Sequence, residues 1–389
     1  MSKYVIDETT LVAMANEVRI LADSVDKLTT DEMTFYTKDA NEEIDTQEDL
    51  IQQIEEALRG KVAPGGGDDT GLARSIINKT ITSYIDNEIV TVGGYSFVDC
   101  NAMTSVNVPS ATSLGNYAFS SCDTLASVNI PLVTSIGQYC FNACASLESI
   151  TGEAVASVGA YGFTGCSALS SINFPKLKSI GQYAFQSCAL ITEFDGPAVT
   201  SIATYAFTGC SKLASVNFPL TTSVAAYAFN GTAALKHLSL PALKSMTANC
   251  FRGSRFESCD LPLAENLSNS GFRSQAYLKS ITLPKVESAS TDAMRGCTGL
   301  TYVDLPKCTQ FAASIFNGCT NLETLIMRAS KVCSMANANA LTDTKIANGE
   351  GYIYVPSTLV NSYKTATNWS TYSAQIRAIE DYPEITGGQ

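Results

Sequence analysis

The feature that most constrains this chain is a phrase that returns every 22 residues. "IGQYCFNACASLES" begins at Ile136, "VGAYGFTGCSALSS" at Val158 and "IGQYAFQSCALITE" at Ile180. Units in phase begin at Val92, Leu114, Ile136, Val158, Ile180, Ile202, Val224 and Met246. A one-residue deletion then resets the phase to Leu267, Ala289 and Phe311, about eleven units in all. Whole columns hold this period. Phenylalanine occupies Phe97, Phe119, Phe141, Phe163, Phe185, Phe207, Phe229, Phe251 and Phe272, and Met294 precedes a return at Phe316. A unit this short is too small for a pair of packed helices and suits one coil of a solenoid carrying one or two short strands. No such unit buries its own apolar face, so stability is collective and both ends need caps.

Within the unit, L-x-S-V-x-F alternates as a half-buried strand does. Val128 and Ile130 are expected to face the core, with Ser127 and Asn129 in water. Pro131, Pro175, Pro219, Pro241 and Pro284 end that strand, because proline has no donor for a ladder. A second short extended piece, T-S-I-G, leads into a turn carrying Y-A-F. Stacked coils place equivalent strands about 4.8 Å apart in a parallel sheet.

The cysteines follow the same period: Cys100, Cys122, Cys144, Cys166, Cys188 and Cys210, a lapse at Thr232, Ser254 and Gln275, then Cys297 and Cys319. Side chains stacked one per coil run parallel, which makes disulfide pairing awkward. A small side chain that favours burial fills a narrow turn, so the column is expected to be a ladder of buried thiols. Thr232 and Ser254 keep the size and lose the reactivity. Cys140 and Cys144 have a C-x-x-x-C spacing, but Cys140 stands in the column of Ala118 and Ala184 and no histidine lies near, so no metal site is expected. The tyrosines Tyr95, Tyr117, Tyr139, Tyr161, Tyr183, Tyr205 and Tyr227 form another column, expected to pack ring on ring.

Units such as "SVNVPSATSLGNYAFSSC", Ser105 to Cys122, resemble the BspA-like leucine-rich repeats, over residues from about 90 to 330. The tail "GYIYVPSTLVNSYKTATNWSTYSAQIRAI" resembles that family's closing segment, a last strand followed by a helix. Trp369, the one tryptophan, then plugs the end of the core. The resemblance implies a leucine-rich-repeat solenoid that acts as a binding scaffold or adhesin rather than an enzyme.

The front end differs. Residues 1–70 hold 17 acidic and 6 basic side chains, a net of −11 against −12 for the whole chain, which leaves −1 for the remainder. That balance argues against nucleic acid, whose phosphates require a basic surface. Leu11, Met14, Ala15 and Val18 recur at helical spacing. A second helix is expected to open at Thr46, with Asp49 completing a capping box, and to carry the stripe Leu50, Ile51, Ile54 and Leu58. "APGGGDDT", Ala63 to Thr70, reads as a hinge. "LVAMANEVRILADSVDKLTTDEM", Leu11 to Met33, resembles a short helical module at the start of phage tail and prophage structural proteins. Asp7, Glu8 and Glu17 interrupt the N-terminal stretch, so no secretory signal is expected, and no apolar run is long enough to span a bilayer.

Catalytic patterns are missing. His237 falls in the strand column of Ser127, Ser171 and Ser215 and is expected to face solvent. Neither G-x-S-x-G nor a P-loop occurs, and Glu193 and Asp195 are expected to be solvated neighbours on one strand face rather than a carboxylate pair. What remains is the outward strand face, rich in hydroxyls and amides. Glu193, Asp195, Asn217, His237, Tyr302 and Asp304 are its candidate ligand-binding residues, and Arg252, Arg255 and Arg273 cluster where the repeat weakens.

The expected organisation is an α+β repeat protein: an acidic helical attachment or oligomerisation region at 1–62, a linker at 63–70, a solenoid cap at 71–91, the solenoid at 92–333, and a C-terminal cap and tail at 334–389. The expected function is non-enzymatic adhesion or receptor binding on a phage virion, with a structural fibre or a bacterial cell-surface adhesin as the alternatives. Expected partners are other virion proteins through the N-terminal helices, a bacterial surface polysaccharide or protein receptor, and further copies of the chain. No nucleic acid, membrane insertion, cofactor or metal is expected.

Overall fold

The computed structural model describes residues 80–386. The helices expected within 1–62, the 63–70 linker and residues 71–79 of the cap lie outside the described residues. The described residues fall into two compact units, divided after Pro175.

In the first unit, the three-residue strands Ser83–Ile85, Ser105–Asn107, Ser127–Asn129, Ser149–Thr151 and Ser171–Asn173 form one sheet in that order. Every pair is parallel, with Ser83 opposite Ser105 and Ser105 opposite Ser127, the 22-residue step seen from the side. The two-residue strands Thr91–Val92, Ser113–Leu114, Ser135–Ile136 and Ser157–Val158 form a second parallel row. Between the rows lies the core. Ile130, Val133, Phe141, Cys144 and Leu147 of a single coil are all wholly buried, while Ser127 and Asn129 are exposed and Val128 is only half-buried.

The second unit repeats the plan. Glu193–Asp195 pairs with Ser215–Asn217, and His237–Ser239 with Ser258–Asp260. The strands Ser280–Thr282, Tyr302–Asp304, Thr324–Ile326, Tyr352–Val355 and Ile376–Ala378 form a five-stranded parallel sheet. The deletion after Met246 is absorbed at a turn, because His237 stands opposite Ser258 in unbroken register.

Among the described residues there are twelve successive pairs of a three-residue and a two-residue strand, not eleven units. The twelfth is Thr324–Ile326 with Ser334–Met335, and Met335 lies opposite Phe311. That step is 24 residues, so a search at fixed period misses it.

The turn after each of the first eleven two-residue strands carries two positions, glycine or not, with left-handed backbone. In the coil of Ile136 these are Tyr139 (φ 54°) and Ala143 (φ 60°). The whole tyrosine column shares this conformation, at a cost of about 1–2 kcal/mol per residue. Stacking offsets it: ring centroids of Tyr95, Tyr117, Tyr139 and Tyr161 are 4.7, 4.6 and 4.4 Å apart in sequence, and such pairs contribute about 0.5–1.5 kcal/mol each. In the second unit Tyr183, Tyr205 and Tyr227 stack at 4.6 and 4.8 Å. Where the rings stop, the column continues as Asn249, Ser270, Asp292 and Ser314, all at positive φ. Asn and Asp are the non-glycine types that tolerate that conformation best.

The thiols have a job beyond filling space. Cys122 Sγ donates to the Phe97 carbonyl at 2.9 Å, Cys144 to Phe119 at 3.0 Å and Cys166 to Phe141 at 3.0 Å. In the second unit Cys210 donates to Phe185 at 3.1 Å and Cys297 to Phe272 at 2.9 Å. The Phe97, Phe119, Phe141 and Phe185 carbonyls also accept from a backbone N–H of their own turn. Two of the three replacements keep the donor: Ser254 Oγ reaches the Phe229 carbonyl at 2.8 Å and Gln275 Nε2 reaches that of Phe251, whereas Thr232 Oγ1 donates to Phe229 of its own coil at 2.9 Å. Size is therefore only part of the rule, and a hydrogen-bond donor of the right reach is the rest. Burial pushes the Cys166, Cys210 and Cys250 thiols up to about 12, so they stay protonated.

Beyond the last coil, Tyr352–Val355 is followed by a short α-helix at Val360–Thr365 and a 3-10 segment at Trp369–Gln375. Trp369 is buried to 1% exposure between Phe311 and Tyr363. Its Nε1 donates to the Cys333 carbonyl at 2.6 Å.

Candidate functional site

The outward strand face of the second unit is built by alternation: in each three-residue strand the middle side chain enters the core and its neighbours project away. Glu193, Asp195, Asn217 and His237 all stand on this face and are exposed. Ser239, Ser258, Asp260, Ser280 and Thr282 continue it. The face is knit together along the stacking direction. Asn217 Nδ2 donates to Asp195 Oδ1 at 2.7 Å, His237 Nδ1 and Ser258 Oγ share a hydrogen bond of 2.8 Å, and Ser239 donates to Asp260 at 3.2 Å. Lys236 and Glu257 add an ion pair of 2.9 Å at its rim. That lysine, by hydrogen bond and by charge, holds the Glu257 carboxyl below its usual range.

Tyr302 and Asp304 do not join that exposed face. Asp304 is 7% exposed and pairs with Arg328, whose Nη2 lies 3.0 Å from Oδ2. Tyr302 is half-buried against the cluster of Ile326, Tyr354 and Ile379, with Tyr382 and Ile385 alongside. The C-terminal segment covers this end of the sheet, and nothing in the repeat period announces where it folds back. Burial, then the nearby Asp304 charge, raises the Tyr302 hydroxyl, while Arg328 opposes the shift.

A second surface, absent from the expected site, lies on the turn that follows each two-residue strand. Arg252, Arg273 and Arg295 occupy one column on three successive coils, three residues beyond Asn249, Ser270 and Asp292. The same column elsewhere is neutral: Ser120, Asn142, Thr164, Gln186, Thr208 and Asn230. Alignment by columns finds all three arginines, whereas clustering along the chain misses Arg295. Arg255 lies over the Tyr277 ring, with Cζ 5.7 Å from its centroid.

The thirteen cysteines are free thiols, all buried except the half-buried Cys259. Among the described residues no three His, Cys, Asp or Glu side chains gather as a metal-ligand set. Burial holds the Cys140 and Cys144 thiols well above the usual value, which opposes the thiolate form that binds metal. No helix among the described residues is long and apolar enough to cross a membrane.

Short parallel strands repeated at a period of about 22 residues over an apolar core define a leucine-rich-repeat solenoid. Residues 77–190, 134–254 and 244–350 match the family described as the BspA type leucine rich repeat region, and together these spans cover more than half of the chain. The chain belongs to that family. Among solved structures it is similar to a leucine-rich repeat protein from Bacteroides ovatus, at 21% identity over 65% of this chain and 88% of that one, with a TM-score of 0.35. A leucine rich cell surface protein from Faecalibacterium prausnitzii shows 21% identity over 77% of this chain and 89% of its own, TM-score 0.38. A Treponema pallidum leucine rich repeat protein shows 26% identity over 40% of this chain and 78% of its own, TM-score 0.37. Comparison with curated proteins finds no match. The matched residues begin at 77, so residues 11–33, which carry the resemblance to virion proteins, lie outside both the match and the described residues.

Proposed function

We propose that this protein is a non-enzymatic binding scaffold that engages a ligand on bacterial cell surfaces. The observation that carries the proposal is the exposed polar face of the second unit, where Glu193, Asp195, Ser215, Asn217, His237, Ser239, Ser258 and Asp260 project from a fully enclosed core. Hydroxyls, amides and carboxylates held on short stacked strands are positioned before binding, which lowers the ordering cost of recognition. Carbohydrate suits such a surface, since it is bound through many weak hydrogen bonds. Membership of the BspA-type family supports an adhesive role. The finer reading places the chain on a phage particle through residues 1–62, and it draws on the resemblance of Leu11–Met33.

The test is binding of the fluorescently tagged full chain to a panel of intact bacteria, before and after enzymatic removal of surface polysaccharide. Strain-selective binding that disappears on stripping is expected. Failure to bind any strain, even with copies clustered on a carrier bead, removes the adhesive reading and leaves a structural part.

A further inference from the structure

The arginine column contains a carboxylate site that one coil fills internally and the preceding coil does not. Asp292 Oδ2 accepts from Arg273 Nη1 of the previous coil at 3.3 Å and from Arg295 Nη1 of its own coil at 3.5 Å. One coil back, the equivalent backbone is the same. Asn249, Ser270 and Asp292 have φ of 57°, 53° and 56°. The arginine three residues on closes the same turn each time: Arg252 N donates to Asn249 O at 3.1 Å, Arg273 N to Ser270 O at 3.2 Å and Arg295 N to Asp292 O at 3.0 Å. Arg252 and Arg273 are therefore related as Arg273 and Arg295 are, but the residue between them is Ser270, which brings no carboxylate. Ser270 Oγ is turned to Asn269 instead, at 3.0 Å. Arg252 is exposed and has no ion-pair partner among the described residues.

The neighbouring column supplies a platform. Tyr227 stacks on Tyr205 on one side only, because the next residue in its column is Asn249. Arg252 is close enough to the stack to oppose the rise of the Tyr205 hydroxyl. No aromatic ring follows Tyr227 in its column on the side of Arg252.

We propose that the turn edge formed by Tyr227, Asn249, Arg252 and Arg273 binds a carboxylated polysaccharide. A uronate ring lays its C–H face on Tyr227, and its carboxylate sits between Arg252 and Arg273 as Asp292 sits between Arg273 and Arg295. Charge complementarity selects the acid, since guanidinium groups match carboxylates through paired hydrogen bonds. A sugar C–H face laid against the Tyr227 ring selects a saccharide over an acidic polypeptide. This inference rests on the surface-binding reading above and assigns it a ligand class and a second face.

The experiment measures binding of the full chain to polygalacturonate, with dextran and poly-L-glutamate as the neutral and polypeptide comparisons, at low and physiological salt. Polygalacturonate is expected to bind and dextran not to. The Arg252→Gln/Arg273→Gln double variant is expected to lose about tenfold or more. Ser270→Asp keeps both arginines but supplies the internal carboxylate, and is expected to lose as much, with thermal unfolding followed alongside to show that the variant, changed at a buried position, stays folded. Tyr227→Asn is expected to weaken polygalacturonate several-fold and spare poly-L-glutamate. Lack of polygalacturonate binding, or parental affinity in Ser270→Asp, overturns the proposal. Equal binding of poly-L-glutamate, indifferent to Tyr227, also overturns it and assigns the edge to an acidic polypeptide. Cell binding that is lost on stripping yet insensitive to Ser270→Asp removes this inference alone. Polygalacturonate binding without any cell binding removes the surface-adhesion reading alone.

Discussion

At the scale of single residues, two columns obey rules finer than size. Most of the cysteine column donates to a buried carbonyl one coil away, Thr232 being the exception. Cys166→Ser is therefore expected to unfold close to the parent, whereas Cys166→Ala leaves the Phe141 carbonyl with one partner fewer and a small void, costing about 1–2 kcal/mol by denaturant titration. Parental stability in the alanine variant rejects the donor role. The thiols also set an alkaline limit. Their folded-state value near 12 exceeds the ordinary 9.0, so the unfolded chain releases protons first as pH rises. Their contribution is complete below pH 9 and is lost as pH climbs toward 12, measurable as a falling melting temperature over that window. The tyrosine column must accept left-handed backbone. At Tyr139, φ 54°, substitution by Asn is expected to cost the stacking alone, and substitution by Val about 1–2 kcal/mol more. Neither rule was open to a reading of residue types. The sulfur's acceptor lies 25 residues back in another turn, and a φ angle leaves no mark on a tyrosine.

At the scale of elements, the strands were the legible part. The serine before most core residues, the prolines after the strand and the T-S-I-G pieces together locate both strand rows, because neighbours in the sheet are neighbours in the repeat. Close approach between coils adds a further constraint. At Gly137 an added Cβ would lie 2.5 Å from the Gly115 carbonyl carbon, which is backbone and has nowhere to move. Gly137→Ala is expected to cost more than about 2 kcal/mol and to lower the unfolding midpoint accordingly. A midpoint within error of the parent shows that the coils separate more easily than their hydrogen bonds suggest. The candidate site was legible in part. Glu193, Asp195, Asn217 and His237 reach the exposed face that alternation assigns them, while Tyr302 and Asp304 are taken up by the returning C-terminal segment.

At the scale of the whole molecule, that returning segment closes the second unit, and its chemistry differs from the repeats. Asp304 is buried, and among the described residues its Oδ1 is unpaired and Arg328, on Oδ2, is the cation that compensates its charge. Arg328→Ala is expected to cost about 3–5 kcal/mol, and Asp304→Asn in the same background to recover much of it, measured by denaturant titration of both variants. No recovery rejects the uncompensated charge as the cause. The order of residues was enough to locate the period, the two strand rows, the buried columns and the one-residue deletion. These follow from translation: residues one period apart meet in space, so a repeated pattern carries its own contact map. The tertiary structure alone decided which carbonyl each thiol satisfies, which turns are left-handed, which exposed positions the C-terminal segment covers and where two arginines share a carboxylate. Those depend on contacts between stretches that no period relates, or on the side-chain direction at a turn, and a one-dimensional pattern encodes neither.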